Sequence, residues 1–379
     1  MNVCIIGVGG AGSRIAGKAA PRVLGAAHVA AVNTDARELD GTPVPVKLQI
    51  GATRTGGLGA GGAAASGRLA MEDDLPTLRE FVAGKDLVVV VAGLGGGTGS
   101  GAAPAILRAA ADAEALTLAV VTLPFDFEGP RRQAVAQDAL RAVREATDAM
   151  VVMANDRLAE AVGEAGLKAA FERADDLLGS SVSMLCNLLA QPGYIKLDFA
   201  DLRQLLRHGG GTCSLAYAAT TGAGRAAEAA NVLLEGTLFE GGQVVKRAKA
   251  VLVGITGGAD LAVREVGEVM QAIQGAVSAD CHVSMGTHVS DEFADGLQVV
   301  VLAAEQWTDA VPEPVREDAR VDRKVAPRRG GRTRQKEAQI TLGLHVVGRG
   351  RFRNVEPTIL DGEDLDIPTY IRRGIVIET

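Results

Sequence analysis

Along the first 155 residues the apolar positions come in short, nearly continuous blocks separated by longer mixed stretches. Residues 3–6, 28–32, 87–91, 116–122 and 149–153 are such blocks, rich in valine and isoleucine, and predict strands buried on both faces. Helical periodicity fills the intervals, most clearly over residues 129–147. Strands alternating with helices imply a parallel sheet covered on both sides, with ligands at the carboxyl ends of its strands. Residues 156–191 read as largely helical, stopped by Pro192-Gly193. Residues 249–305 repeat the pattern as a second αβ unit: a strand at 250–254, a helix over 261–276, then strands at 282–285 and 297–303. A second domain is therefore expected over about residues 200–305.

The glycines carry the chemistry. The run Gly95-Gly96-Gly97-Thr98-Gly99-Ser100-Gly101 lies between a buried strand and the stretch 102–110, which reads as a helix with Pro104 in its first turn. Strand, glycine loop and helix N-terminus together aim backbone N–H groups at one point, and the Thr98 and Ser100 hydroxyls are expected to add donors. This is the chemistry of a phosphate site. A flexible linker is the plainer alternative, but linker glycines sit among polar residues.

Composition narrows the classes. A hydrophobic fraction of 47% and a charged fraction of 22% suit a soluble protein. The net charge of -7 argues against general nucleic-acid affinity, and an aromatic content of 3% leaves little for base-stacking platforms. Cys4, Cys186, Cys213 and Cys281 lie far apart without metal-ligand spacing, so free thiols in a reducing cytoplasm are expected and no protein-held metal site. The chain enters a strand with no basic leader, and no apolar stretch approaches membrane-spanning length, so a soluble intracellular protein is expected. After Trp307, basic residues from Arg316 to Lys336 appear with few apolar neighbours, which predicts a disordered, solvated linker.

Two nucleotide motifs compete at the N-terminus. Gly7-Val-Gly9-Gly10-Ala11-Gly12 follows the first strand and fits the dinucleotide fingerprint, with Asp35 where a ribose-binding acid belongs. An NAD-dependent oxidoreductase is the reading this favours. Against it stand two more glycine-rich loops, residues 51–62 and Gly95–Gly101, since a dinucleotide needs one pyrophosphate loop. His208, His282 and His288 are also isolated, leaving no hydride-transfer constellation. The stretch Gly12 to Ala19 nearly matches a P-loop, but Ala19 replaces the magnesium-binding hydroxyl.

With these loops in order, the chain resembles the bacterial cell-division GTPase family FtsZ, of the tubulin superfamily. The resemblance rests on Gly7–Gly12, Asn33-Thr34-Asp35, Thr55–Gly61, Gly95–Gly101, Pro124 to Gly129 with Arg132, and Asn155-Asp156. Phe171-Glu-Arg-Ala-Asp175, Leu197-Asp-Phe-Ala-Asp201 and Asp366-Ile-Pro-Thr-Tyr-Ile-Arg372 continue it. It implies a Rossmann-like parallel-sheet GTPase domain over 1–165, a central helix over 166–191 and a second α+β domain with the catalytic loop over 192–306. A disordered basic linker over 307–355 and a partner-binding tail over 356–379 complete the expected organisation.

The resemblance also assigns roles. Gly9, Gly10, Ala11, Gly59, Ala60, Gly61, Gly95, Gly96, Gly97, Thr98 and Gly99 are expected around the phosphates of GTP or GDP. Arg14 is expected near the base, Glu128 on the ribose, Arg132 on sugar or phosphate, and Asp175 on the N1–H and amine of guanine. Asp198 and Asp201 are the expected catalytic pair, brought to the GTP of the next subunit in a head-to-tail homopolymer, with Mg2+ offsetting phosphate charge. Asp198 and Asp201 read equally as helix N-caps, a role compatible with catalysis. The segment Asp364 to Arg373 is the expected docking peptide for membrane adaptors and division regulators, so the membrane would be met only indirectly, at the division site. Three positions depart from the family: Lys196 and Arg14 stand where asparagine is usual, and Gly56 where arginine is frequent. They raise the alternative of a slow-hydrolysing paralogue that scaffolds or regulates other filaments.

Overall fold

The computed structural model describes residues 1–305 apart from Leu24, residues 163–165, Pro192 and residues 209–210, together with residues 359–360 and 363–364. Strands β1 (Val3–Val8), β2 (Ala27–Asn33), β3 (Val46–Gln49), β4 (Leu87–Gly93), β5 (Leu116–Leu123) and β6 (Ala149–Ala154) form the first half. Strands β7 (Thr212–Thr221), β8 (Ala250–Gly257), β9 (His282–Val289) and β10 (Gly296–Ala304) form the second. All ten belong to one sheet of order β3-β2-β1-β4-β5-β6-β7-β10-β8-β9. From β3 to β6 every pairing is parallel, and 3-2-1-4-5-6 is the doubly wound dinucleotide-fold order.

The five expected strands are present as β1, β2, β4, β5 and β6, and their buried faces explain their continuous apolar character. β3 and β7 were not legible. β3 has four residues, and β7 is rich in alanine and threonine with few large apolar residues, held by pairing with β10 from Cys213 to Thr221. The sheet also continues past the expected domain boundary: β7 joins β6 in parallel at Met150↔Thr212 and Val151↔Cys213. Beyond it, β7, β10 and β8 are antiparallel and β9 is parallel to β8.

The helix Leu167–Ala190 explains why the two halves share a core. Leu178, Val182, Leu185 and Leu189 recur on one helical face and pack in a cluster holding Val3 and Ile5 from β1 with Leu215, Leu252 and Val300 from the second half. The described residues up to Glu305 accordingly belong to one compact unit. Residues 307–355, the expected linker, lie outside the described residues, as does the expected docking peptide beyond Asp364. Ile359–Leu360 pairs antiparallel with Glu363–Asp364 in a ladder of its own.

A buried ion network closes the second half. Arg225, its side chain 5% exposed, donates through Nε and Nη2 to Glu265 at 2.7 and 2.9 Å, and its Nη1 lies 2.7 Å from Asp260. The guanidinium holds the Glu265 carboxyl below its usual range. Arg225→Ala would strand Glu265 beside a cavity, and a loss of about 3 kcal/mol is expected in urea unfolding. The low end of the buried-pair range applies because Asp260 reaches solvent.

Candidate nucleotide site

A cleft of about 720 Å³ opens at the carboxyl ends of β1 and β4, the neighbouring strands from which the strand order runs in opposite directions. Such a reversal parts the loops and leaves a crevice. Three glycine segments line it: residues 9–10, 59–62 and 95–97 with Gly99. A dinucleotide fingerprint alone would have brought one.

Two helices begin here without side-chain caps. The helix Gly9–Ala19 follows Val8, and the helix Gly97–Asp112 follows Gly96; neither N-cap residue has a side chain that accepts from the first N–H groups of its helix. Their first N–H groups therefore have no intrahelical or capping partner, and both dipoles put positive potential into the cleft. Gly9 has φ +69°, and a Cβ there would come within 3.0 Å of Gly99 N. That close approach is what brings the two helix starts together.

The sequence reading of the glycine run needs three corrections. Residues 97–101 are the first turns of the helix, not a loop before it, so Pro104 lies in the helix interior. Ser100 is buried and accepts a hydrogen bond from Gly95 N–H at 2.8 Å, which shapes the loop instead of facing a ligand. The Thr98 hydroxyl lies 2.6 Å from the Thr34 hydroxyl and is likewise engaged within the protein. What the run offers an anion is chiefly main chain: the N–H groups of Gly97, Thr98 and Gly99 at the helix start, beside a Thr98 hydroxyl shared with Thr34. The near P-loop lies within the helix Gly9–Ala19, where Lys18 reaches Asp176 at 3.4 Å.

At the other end of the cleft, Phe171 and Arg14 form the wall, with Asn155 beside them. Asp175, one turn beyond Phe171, is 7% exposed and sits behind Arg14 at the cleft wall; Arg14 Nε donates to its Oδ2 at 2.8 Å. Burial raises the Asp175 carboxyl above its usual range, and the hydrogen bond and charge of Arg14 oppose that. Phe171 is a site residue that the sequence motif alone does not assign, although its spacing of four from Asp175 puts both on one helical face. Its ring packs edge-on against Phe125 at 5.4 Å, so it presents a held aromatic face to the cleft. Glu128 and Arg132 pair at 2.7 Å, and Glu128 Oε1 also accepts from Phe125 N–H at 2.9 Å.

Asp35 caps the helix Ala36–Asp40 with one carboxylate oxygen: its Oδ1 accepts from Arg37 and Glu38 N–H, and Oδ2 stays on the cleft side. Glu38, which sequence reasoning missed, lies against Gly10 and accepts from Asn33 Nδ2 at 3.0 Å. No cluster of three or more His, Cys, Asp or Glu placed to hold a metal occurs among the described residues. The Asp35 and Glu38 carboxylates offer hard oxygens beside the glycine loops, which fits Mg2+ arriving on phosphate oxygens instead of in a protein cage.

Asp198 and Asp201 do not line the cleft. Asp198 Oδ1 accepts from Ala200 N–H at 2.9 Å at the start of the helix Phe199–His208, so the capping role is real. Their loop is pinned to β9: Ile195 N–H donates to Thr287 Oγ1 at 3.1 Å, and Thr287 N–H returns to the Ile195 carbonyl at 2.8 Å. Leu197 is buried, whereas Tyr194 is 90% and Ile195 45% exposed. Lys196 is exposed and forms no ion pair with Asp198 among the described residues.

Residues 2–163 match the model of the tubulin/FtsZ family GTPase domain, and residues 211–306 that of the FtsZ family C-terminal domain. The chain is 36% identical over 298 residues to cell division protein FtsZ 1 of Archaeoglobus fulgidus, covering 79% of this chain and 80% of that protein. The FtsZ dimer of M. jannaschii superposes with a TM-score of 0.73 at 31% identity, over 80% of this chain and 87% of that one. CetZ2 of Haloferax volcanii, a protofilament with GTPγS bound, gives a TM-score of 0.62 at 25% identity, over 80% and 92%. These relatives are archaeal, so the similarity does not tie the chain to bacteria. Convergent glycine loops, two uncapped helix starts and these matches lead to one conclusion: the chain belongs to the tubulin/FtsZ family and is a GTPase.

Proposed function

We propose that this GTPase assembles head to tail into a cell-division filament and cleaves GTP only where two copies meet. The observation that carries this is the separation of the cleft from Asp198 and Asp201 within one copy. The carboxylates that do line the cleft, Asp35, Glu38 and Glu128, are engaged by a helix start, by Asn33 and by Arg132, so in this reading the ones that orient the attacking water come from a second copy. The exposed side chains of Tyr194 and Ile195 beside Asp198, and of Leu58 and Phe127 near the cleft, give both ends apolar surface to bury.

In this reading the helix starts at Gly9 and Gly97 and the turn Gly59–Ala60–Gly61 hold the phosphates through main-chain N–H groups. Phe171 stacks on the base, Asp175 accepts from guanine, and Glu128 with Arg132 binds the sugar. Asp35 and Glu38, which line the cleft, would hold a Mg2+ brought with the nucleotide, and that ion would offset phosphate charge. Asp198 and Asp201 of the incoming copy orient water for attack. The 1–165 and 192–306 segments act as nucleotide and catalytic-loop domains on either side of the central helix. The tail from Asp364 to Arg373 docks adaptors and division regulators, which concentrate the filament at the division site.

GTPase rate measured against protein concentration tests the junctional site. Turnover per molecule is expected to rise steeply above a threshold concentration, together with GTP-dependent sedimentation. A turnover per molecule that is independent of concentration would overturn the proposal. Exposed Lys196, one residue from Leu197 and two from Asp198, favours a second reading in which that junctional rate is slow.

A further inference from the structure

We propose that Arg14 sets guanine selectivity by holding the Asp175 carboxylate in its charged, acceptor-only form. This rests on the reading of the cleft as a GTP site.

The geometry is specific. Arg14 Nε donates to Asp175 Oδ2 at 2.8 Å across 161 residues of sequence, from the first turns of one helix to the central helix. Asp175 is 7% exposed, whereas the Arg14 side chain is half exposed in the cleft wall. A carboxylate only accepts hydrogen bonds; a carboxylic acid can also donate one. Guanine presents two donors, N1–H and the exocyclic amine, and both match an ionised Asp175. Adenine presents N1 as an acceptor, which an ionised carboxylate repels and a protonated one can satisfy. Selectivity at this site is therefore a matter of the protonation state of one buried group.

Burial favours the neutral acid, and Arg14 is the foremost group opposing it. The other charges facing Asp175 are Lys18, on the same helix as Arg14, and Asp176 beside it on the central helix. Lys18 and Arg22, the latter in the turn after that first helix, both pair with Asp176, at 3.4 and 3.2 Å. The effects of Lys18 and Asp176 on Asp175 are opposed in sign, which leaves Arg14 to decide.

The test is equilibrium titration of the full chain with fluorescent GTP and ATP analogues from about pH 5.5 to about pH 8.5, where a shifted carboxyl would change charge. In Arg14→Ala the preference for GTP over ATP is expected to fall by roughly tenfold or more at the acidic end of that range and to recover as pH rises, each unit of carboxyl shift being a factor of ten. Arg14→Gln, neutral and of similar reach, should behave the same way if the alanine variant does not fold. Arg14→Lys should retain most of the preference, and Asp175→Asn, which cannot titrate, should show a weak preference that is flat with pH. A GTP preference in Arg14→Ala and Arg14→Gln identical to that of the unaltered chain at every pH overturns the proposal, as does a loss that high pH does not restore. Failure of the unaltered chain to bind either analogue is a different result: it overturns the GTP reading itself and this proposal with it.

Discussion

Asp201→Ala is expected to cut GTP turnover by roughly 10²-fold or more while GTP binding stays intact, the signature of a group that acts in the transition state. Asp201 sits in the first turn of the helix Phe199–His208, half exposed and outside the cleft. Its removal leaves the nucleotide donors untouched, and the capping bond belongs to Asp198, so the fold keeps its helix start. Phosphate release and nucleotide binding, measured on the same preparation, separate the two effects. Unchanged release would remove Asp201 from the mechanism.

The second large effect belongs to the glycines at the phosphate end, and two of them should behave differently. A Cβ at Gly96 meets no atom within 4 Å, and its φ of -90° suits any residue, yet the position lines the cleft. Gly96→Leu should leave the unfolding midpoint unmoved and lower GTP affinity by roughly 10²-fold, equivalent to one or two charge-assisted hydrogen bonds. At Gly99 a Cβ would come within 2.3 Å of the Gly93 carbonyl oxygen, so Gly99→Ala should lose both GTP affinity and stability. Thermal melts with and without GTP read both quantities. Full GTP affinity in Gly96→Leu would rule out the helix start as the phosphate site.

Much of this was legible in the chain because its determinants are local. The short, β-branched run of residues 87–91 favours a strand buried on both faces, and glycines directly after such a strand favour a tight turn or a helix start. The same reasoning failed where the determinant was a neighbour from elsewhere. β7 takes its conformation from β10, the Ser100 hydroxyl is claimed by Gly95, and the Thr98 hydroxyl by Thr34. Residues 97–101 looked like loop because glycine is a poor helix former. Packing against the helix Ala64–Asp73 overrides that: a Cβ on Gly101 would strike the Ala64 carbonyl oxygen at 2.1 Å.

By itself, then, the sequence determined the alternating strands and helices and the glycine segments that follow the strands. Each of these follows from backbone sterics and from residues a few positions away. Only the tertiary structure decided which donors remain free for phosphate, that Arg14 faces Asp175, and that Asp198 and Asp201 stand outside the cleft. Those outcomes depend on contacts between residues up to 161 positions apart, which come from how the central helix packs on the sheet and not from any local preference.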